Sequence, residues 1–165
     1  MKHRQQILNL IPPHKDADAL SDYATVPSPT VLAVKYVLED NGIILKGQNV
    51  ALIGAGKLVG VPMALWLLRE NASISTIHKY TKHGYYYTRK ADIIISGVGK
   101  PNLIRGVDVK KGVVVVDLGF SIVGGKIKGD VDIKSVSKKA SYFAPVPGGI
   151  GGLTIACLLE NLSKL

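Results

Sequence analysis

The sequence predicts an α/β domain: a doubly wound, mainly parallel sheet with helices on both faces. Three observations carry this. Apolar runs of strand length alternate with segments of helical periodicity. The four clearest strands are read as continuous apolar runs, the pattern of a sheet covered on both sides. A glycine-rich turn stands directly between the first of these strands and the helix that follows it.

The elements follow in order. Ser28-Pro29 opens a helix, with serine as N-cap and proline at the first helical position, and Asn41-Gly42 stops it. Val31, Val34, Val37 and Leu38 fall on its apolar face. Asn49 to Ile53 reads as a buried strand, then a helix from about Leu58 to Glu70, then a strand from Ser73 to Ile77. The basic, tyrosine-rich stretch to Lys90 holds a short helix. Asp92 to Ile95 and Val113 to Val116 are the third and fourth strands. Val123-Gly124-Gly125-Lys126 is a hairpin turn. A polar helix is expected over Asp132 to Ala140, then Tyr142-Phe143, a glycine-proline loop and a last helix from Leu153 to about Ser163. The order is that of a Rossmann-like domain, whose ligands sit outside the carboxyl ends of the strands. Residues 27–165 are assigned to this domain and residues 1–26 to an amino-terminal remnant or linker.

Composition narrows the function classes. A 165-residue chain with 47% hydrophobic residues is neither disordered nor collagen-like. Its 21 basic and 12 acidic residues give a net charge of +9. Such a balance fits a lysine-rich solvated surface, a phosphate-bearing ligand or nucleic acid. Nucleic acid is set aside, because the chain has neither an arginine-clustered helix nor an aromatic RNA-binding strand. The lone Cys157 lies in an apolar run, where it is a core residue; it implies a reducing compartment, and the chain is read as cytoplasmic. No stretch is apolar enough to span a membrane, and no metal site is expected.

Chemistry is expected at the strand ends. Gly54-Ala55-Gly56-Lys57-Leu58-Val59-Gly60 follows the first strand. Gly54 permits the tight turn, Gly56 lets backbone approach a pyrophosphate, and Gly60 lets the helix pack close. It is not a phosphate-binding Walker loop, because Leu58 follows Gly56-Lys57. An NAD site usually places a carboxylate about 20 residues on. Here no acid occurs between Glu70 and Asp92, and the second strand ends in His78-Lys79. This favours NADP, with NAD as the alternative; Lys79 and Lys82 also read simply as surface charges. Asp117 is read as a loop cap rather than a catalytic carboxylate. Asp16 and Asp18 are read from their spacing as a turn, and Ala144 to Gly152, with Thr154 at the next helix, as part of a site.

In this order, Lys15-Asp16-Ala17-Asp18, Ser28-Pro29, Ile53-Gly54 to Val59-Gly60, His78 to Thr81, Ala91-Asp92-Ile93, Val98-Gly99-Lys100-Pro101, Val116-Asp117-Leu118-Gly119, Gly129-Asp130-Val131-Asp132 and Pro145-Val146-Pro147-Gly148-Gly149 resemble the carboxyl-terminal, dinucleotide-binding part of bifunctional methylenetetrahydrofolate dehydrogenase/cyclohydrolases of the FolD type. The resemblance covers nearly the whole chain. It implies oxidation of 5,10-methylenetetrahydrofolate with NAD(P)+ and hydrolysis of the methenyl product to 10-formyltetrahydrofolate. It implies that Gly54, Gly56, Lys57, Val59 and Gly60 line the pyrophosphate and that His78, Lys79 and Thr81 border the adenosine ribose. Val98, Gly99, Phe120 and Thr154 would surround the ribose and nicotinamide, and Asp18, Pro147, Gly148 and Gly149 would face the folate. A homodimer is left open.

The sequence departs from the family at Ala55 and Gly56 (commonly Arg-Ser), Lys79 (commonly Ser), Ala19 (commonly Gly), Ala144 (commonly Thr) and Gly152 (commonly Pro). The family's catalytic lysine belongs to an amino-terminal domain, and only 14 residues precede Lys15, which is not that lysine. No catalytic residue is therefore assigned. The chain is expected to be a fragment, an excised domain or a short relative that binds dinucleotide, catalyses poorly and lacks the cyclohydrolase step.

Overall fold

A computed structural model describes residues 3–165. A short helix α1 (Arg4–Leu8) precedes α2 (Pro29–Asp40), β1 (Asn49–Ile53), α3 (Gly60–Arg69) and β2 (Ser73–Ile77). Then come α4 (Gly84–Thr88), β3 (Ile93–Ser96), β4 (Val114–Asp117), the hairpin β5 (Ser121–Val123) and β6 (Lys126–Lys128), α5 (Ile133–Val136), β7 (Tyr142–Ala144) and α6 (Gly151–Lys164). Five strands form one parallel sheet in the order β2-β1-β3-β4-β7, and β5-β6 stand apart as a two-stranded ribbon. The sheet separates two apolar layers. One packs Val34, Leu38, Met63 and Leu67 from the helices against Val50, Leu52, Ile93, Ile95 and Val116. The other packs Ala51, Ile94, Val113 and Val115 against Ile104, Val109 and Val136.

The doubly wound, parallel architecture matches the expectation, with differences at particular elements. β2 is not a continuous apolar run: three of the residues Ser73-Ile74-Ser75-Thr76-Ile77 are polar. It is the sheet's edge and lacks a neighbour on one side, so polar residues are tolerated there. Tyr142 to Ala144, not assigned as a strand from sequence, forms the opposite edge. α3 begins at Gly60, because the glycine turn runs on through Val59. α5 is a single turn: the chain leaves it after Val136, and the Lys139 carbonyl accepts the Gly112 N–H at 2.7 Å. α6 begins at Gly151, two residues early. Ser28 stands at the N-cap of α2, but its side chain makes no cap hydrogen bond. Cys157 is buried in the core, as expected.

At the amino ends of the strands, Asp92 ties β1 to β3. Its carboxylate accepts the Asn49 N–H at 2.9 Å and also meets the Lys110 ammonium. The hydrogen bond from Lys110 holds the Asp92 carboxyl below the usual carboxylate range. A lowered folded-state pKa gives stability that is present above the unfolded value and is lost as pH falls through the folded one. The thermal midpoint is therefore expected to drop as pH is lowered from about 5 through the carboxylate range. Asp92→Asn should lower the midpoint at pH 7 and make that acid limb shallower, as read by denaturation at a series of pH values.

Candidate functional site

The sheet order reverses between β1 and β3, the place where doubly wound sheets open a crevice beyond their carboxyl ends. Hydrogen bonds extend the pairing past three strands. Gly54 N–H reaches the Ile77 carbonyl at 2.8 Å, Gly97 N–H the Ile53 carbonyl at 2.9 Å, and Leu118 N–H the Ser96 carbonyl at 2.7 Å. The loops after β1, β3 and β4 therefore leave the sheet side by side.

Gly54 turns the chain with φ +106°, a conformation that L side chains avoid, and a Cβ there would lie 2.9 Å from the Gly97 carbonyl oxygen. A Cβ on Gly60 would lie 2.2 Å from the Gly54 carbonyl oxygen. These two glycines are required by the packing of turn and helix. Gly56 is different: a Cβ there meets nothing within 4 Å. The fold does not need this glycine, and the space above it is open.

Beside this turn lies a cavity of about 300 Å3. Its lining includes Ile53 and Ile77 at the strand ends, His78, Lys79 and Thr81 after β2, and Val98 and Lys100 after β3. His78 to Thr81 form a self-bonded turn. Thr81 N–H donates to the His78 carbonyl at 2.8 Å, His78 N–H donates to Thr81 Oγ1 at 3.0 Å, and Tyr80 N–H donates to His78 Nδ1 at 3.2 Å. The Lys79 ammonium stands 4.9 Å over the Tyr80 ring centroid. No carboxylate occurs in sequence between residues 70 and 92; the cavity's lining does include the carboxylate of Asp108, which is buried and paired with Arg105 at 3.3 Å.

Two buried carboxylates organise the loops. Asp117 accepts the N–H groups of Gly119 at 2.9 Å, Asp130 at 3.0 Å and Val131 at 3.0 Å. Burial pushes the Asp117 carboxyl up, against those three donors. This is the loop-cap role expected for Asp117. Asp130 accepts Ser96 Oγ–H at 2.7 Å, Val98 N–H at 2.7 Å and Lys100 N–H at 2.6 Å. A Cβ on Gly99 would lie 3.0 Å from the Phe120 carbonyl oxygen. The Val98–Gly99 loop is thus held between the Gly54 turn and Phe120.

The other expected residues fall elsewhere. Lys57 leaves the glycine turn toward the amino-terminal segment, with its ammonium 3.6 Å from Asp22, and lines a separate cavity with Arg4, Leu58 and Val61. Val59 packs on Gly97, its Cγ1 lying 3.0 Å from where a Cβ on that glycine would be. Phe120 is 62% exposed. Thr154 lies inside the first turn of α6 rather than at its start, its hydroxyl donating to the Ile150 carbonyl at 3.2 Å. Asp18, Pro147, Gly148 and Gly149 are exposed and lie outside the 300 Å3 cavity's lining. Gly148 has φ +99°, and Gly149 sits where a Cβ would be 2.3 Å from the Pro145 carbonyl oxygen.

Asp16 and Asp18 share a turn but not a role. Asp16 is buried and accepts Leu20 N–H at 2.9 Å and Ser21 N–H at 2.8 Å. Asp18 points outward, and partial desolvation together with the Asp16 charge raises its pKa. Asn161, wholly buried on α6, fixes this segment by donating to the carbonyls of Ala17 at 2.9 Å and Pro27 at 2.8 Å. Sequence reasoning assigned no role to Asn161, and quoted Asp130 only within a motif. Both act on backbone distant in sequence, so spacing carries no trace of them. Among the described residues, no group of three or more His, Cys, Asp or Glu side chains could hold a metal, and no helix is long and apolar enough to cross a membrane.

Comparison with known proteins decides the family. A family model described as the NAD(P)-binding domain of tetrahydrofolate dehydrogenase/cyclohydrolase matches residues 28–165. The chain belongs to this family. The bifunctional protein FolD of a Nitratiruptor species is 48% identical over 96% of the chain and 60% of its own length. The crystal structure of the Campylobacter jejuni FolD dehydrogenase/cyclohydrolase superposes with TM-score 0.93 at 43% identity, over 98% of this chain and 61% of that one. The Trypanosoma brucei FolD, solved with NADP cofactor and an inhibitor, gives TM-score 0.90 at 32% identity, over 98% of this chain and 61% of that one. The chain thus spans about 60% of the length of the FolD relatives it matches.

Proposed function

We propose that this chain is the dinucleotide half of a FolD-type enzyme and binds NADP+ in preference to NAD+ for the oxidation of 5,10-methylenetetrahydrofolate. In the complete family architecture, cyclohydrolase activity then yields 10-formyltetrahydrofolate. The observation that carries this reading is the turn after β1. Its first and last glycines are demanded by packing and hold the turn at the start of α3, and the space above Gly56 between them is open.

The residues present fit a dinucleotide. The N–H groups of the Gly54–Gly60 turn and the amino end of α3 favour an anionic pyrophosphate. His78, Lys79 and Thr81 would border the adenosine ribose, with the Lys79 cation attracting a 2′-phosphate that a carboxylate would repel. Lys57, paired with Asp22, has a weaker part than its place in the glycine turn suggests. When bound, the nicotinamide supplies the hydride acceptor. Val98, Gly99, Phe120 and Thr154 would orient it, and Asp18 with Pro147, Gly148 and Gly149 would face the folate. Asp18 is exposed, and partial desolvation together with the Asp16 charge raises its pKa. A cytoplasmic setting fits the single buried thiol.

Calorimetric titration with NADP+ and NAD+ tests the binding half of this reading, which fails if neither binds. Turnover is tested by growth of absorbance at 340 nm with methylenetetrahydrofolate and NADP+. Rapid turnover by the chain alone would show that the turn and its loops suffice for hydride transfer. Binding without turnover by the chain alone fits a dinucleotide half; the second reading, a non-catalytic dinucleotide-binding module, is favoured if turnover stays absent when a FolD-type amino-terminal half is supplied in trans. The family departures at Ala55, Ala144 and Gly152 support that alternative.

A further inference from the structure

We infer that Asp130 is the positioning residue of the dinucleotide site: through its buried carboxylate it sets where the Val98–Gly99 backbone lies against the Gly54 turn. The inference rests on the dinucleotide reading above and adds a residue to which that reading gives no part.

Asp130 stands beyond the hairpin, remote in sequence from the loop after β3, and is 0% exposed. One carboxylate oxygen, Oδ2, takes both the Ser96 hydroxyl and the Val98 N–H; the other, Oδ1, takes the Lys100 N–H. The loop's two donors flank Gly99, which has φ +77°. A single rigid group therefore grips the chain on each side of a residue whose positive φ favours glycine. The grip reaches the other walls of the site. A Cβ on Gly54 would be 2.9 Å from the Gly97 carbonyl oxygen and 3.4 Å from Val98 Cγ2, so small loop shifts close or open the approach to the glycine turn.

Asp130 is itself fixed from below. Its own N–H, with that of Val131, donates to Asp117, which also takes Gly119 N–H. Gly119 leaves no room for slack, since a Cβ there would lie 2.2 Å from Asp130 Oδ1. The ends of β3 and β4 are thereby locked to each other through two side chains, without a ligand.

Asparagine is nearly isosteric, but it replaces one acceptor oxygen with an NH2 donor. The Ser96 hydroxyl can turn to accept from it, but a backbone N–H cannot. In Asp130→Asn either Val98 N–H or Lys100 N–H must lose its acceptor. Affinity for NADP+ is expected to fall at least tenfold, with exchange protection lost at the Val98 or Lys100 amide while the sheet amides keep theirs. Asp92→Asn is the control: it removes a strand-tying carboxylate at the opposite end of the same sheet and should leave the NADP+ affinity unchanged.

Wild-type affinity in Asp130→Asn, or an equal loss in Asp92→Asn, overturns the proposal. If Asp130→Asn does not fold, the wild type still decides. Without ligand, its Val98 and Lys100 amides should exchange far more slowly than those of the exposed hairpin tip at Gly124 and Gly125, and equal rates overturn the proposal. A wild type that binds neither dinucleotide removes the functional reading and this role with it, whatever the exchange rates. Normal binding with an unaffected Asp130→Asn removes this role alone.

Discussion

Gly60→Ala is expected to lower stability by about 1–3 kcal/mol, the usual range for forcing atoms into a filled site. The added methyl would lie 2.2 Å from the Gly54 carbonyl oxygen and 2.8 Å from the Ala55 Cα, both backbone atoms that cannot swing aside. The turn or the first residues of α3 must move instead. For a chain of this size each kcal/mol shifts the thermal midpoint by roughly 2–4 °C. Dinucleotide affinity should fall more than tenfold with it, because the displaced amides are the ones that would face the pyrophosphate. Gly56→Ala provides the contrast. Its methyl meets nothing within 4 Å, and the family commonly carries the larger serine at this place, so the melting midpoint should stay within about 1 °C of wild type and NADP+ affinity within about threefold. Paired melting curves and titrations check both. A large loss of NADP+ affinity in Gly56→Ala would show that the ligand lies closer to this backbone than a serine allows.

The second large effect concerns coenzyme choice. Lys79→Glu should reverse a preference for NADP+ over NAD+, moving the ratio of the two dissociation constants by roughly ten- to a hundredfold. The reason is the setting of Lys79. It projects from a turn whose backbone is fixed by three hydrogen bonds among His78, Tyr80 and Thr81, so a substituted side chain inherits the same place. It also lines the cavity beside the end of β1. A glutamate there would face a 2′-phosphate with like charge and could instead hold a ribose hydroxyl. Competition titrations with the two dinucleotides read the result. An unchanged ratio would place the discriminating group elsewhere on the cavity wall.

Much of the fold was legible because it rests on local patterns. Asn49 to Ile53 and Ser73 to Ile77 read as strands with the boundaries they have, and Ser28-Pro29 and Asn41-Gly42 bracketed α2. Tyr142 to Ala144 was not recognised as a strand, because three residues at an edge carry too little pattern to separate from loop. The parallel pairing of β2 was expected for the wrong reason, since three of its five residues are polar and it is not an apolar run.

In the site, the glycine turn and the basic end of β2 were visible as chemistry in order along the chain. The direction of Lys57 was not, because the carboxylate that draws it away, Asp22, belongs to the amino-terminal segment. Nor was the grip of Asp130 on the Ser96–Lys100 loop, or that of Asn161 on the carbonyls before α2. Such contacts join residues far apart in sequence and follow from topology.

The ribbon formed by β5 and β6 begins and ends at the Asp117–Asp130 lock, and its tip at Gly124-Gly125 is exposed and free of any neighbour within 4 Å of an added Cβ. Whatever is spliced into that tip hangs from a clamped base. A fluorophore or an affinity tag carried there would report on the molecule, or tether it to a bead, from a tip whose base two buried carboxylates hold still.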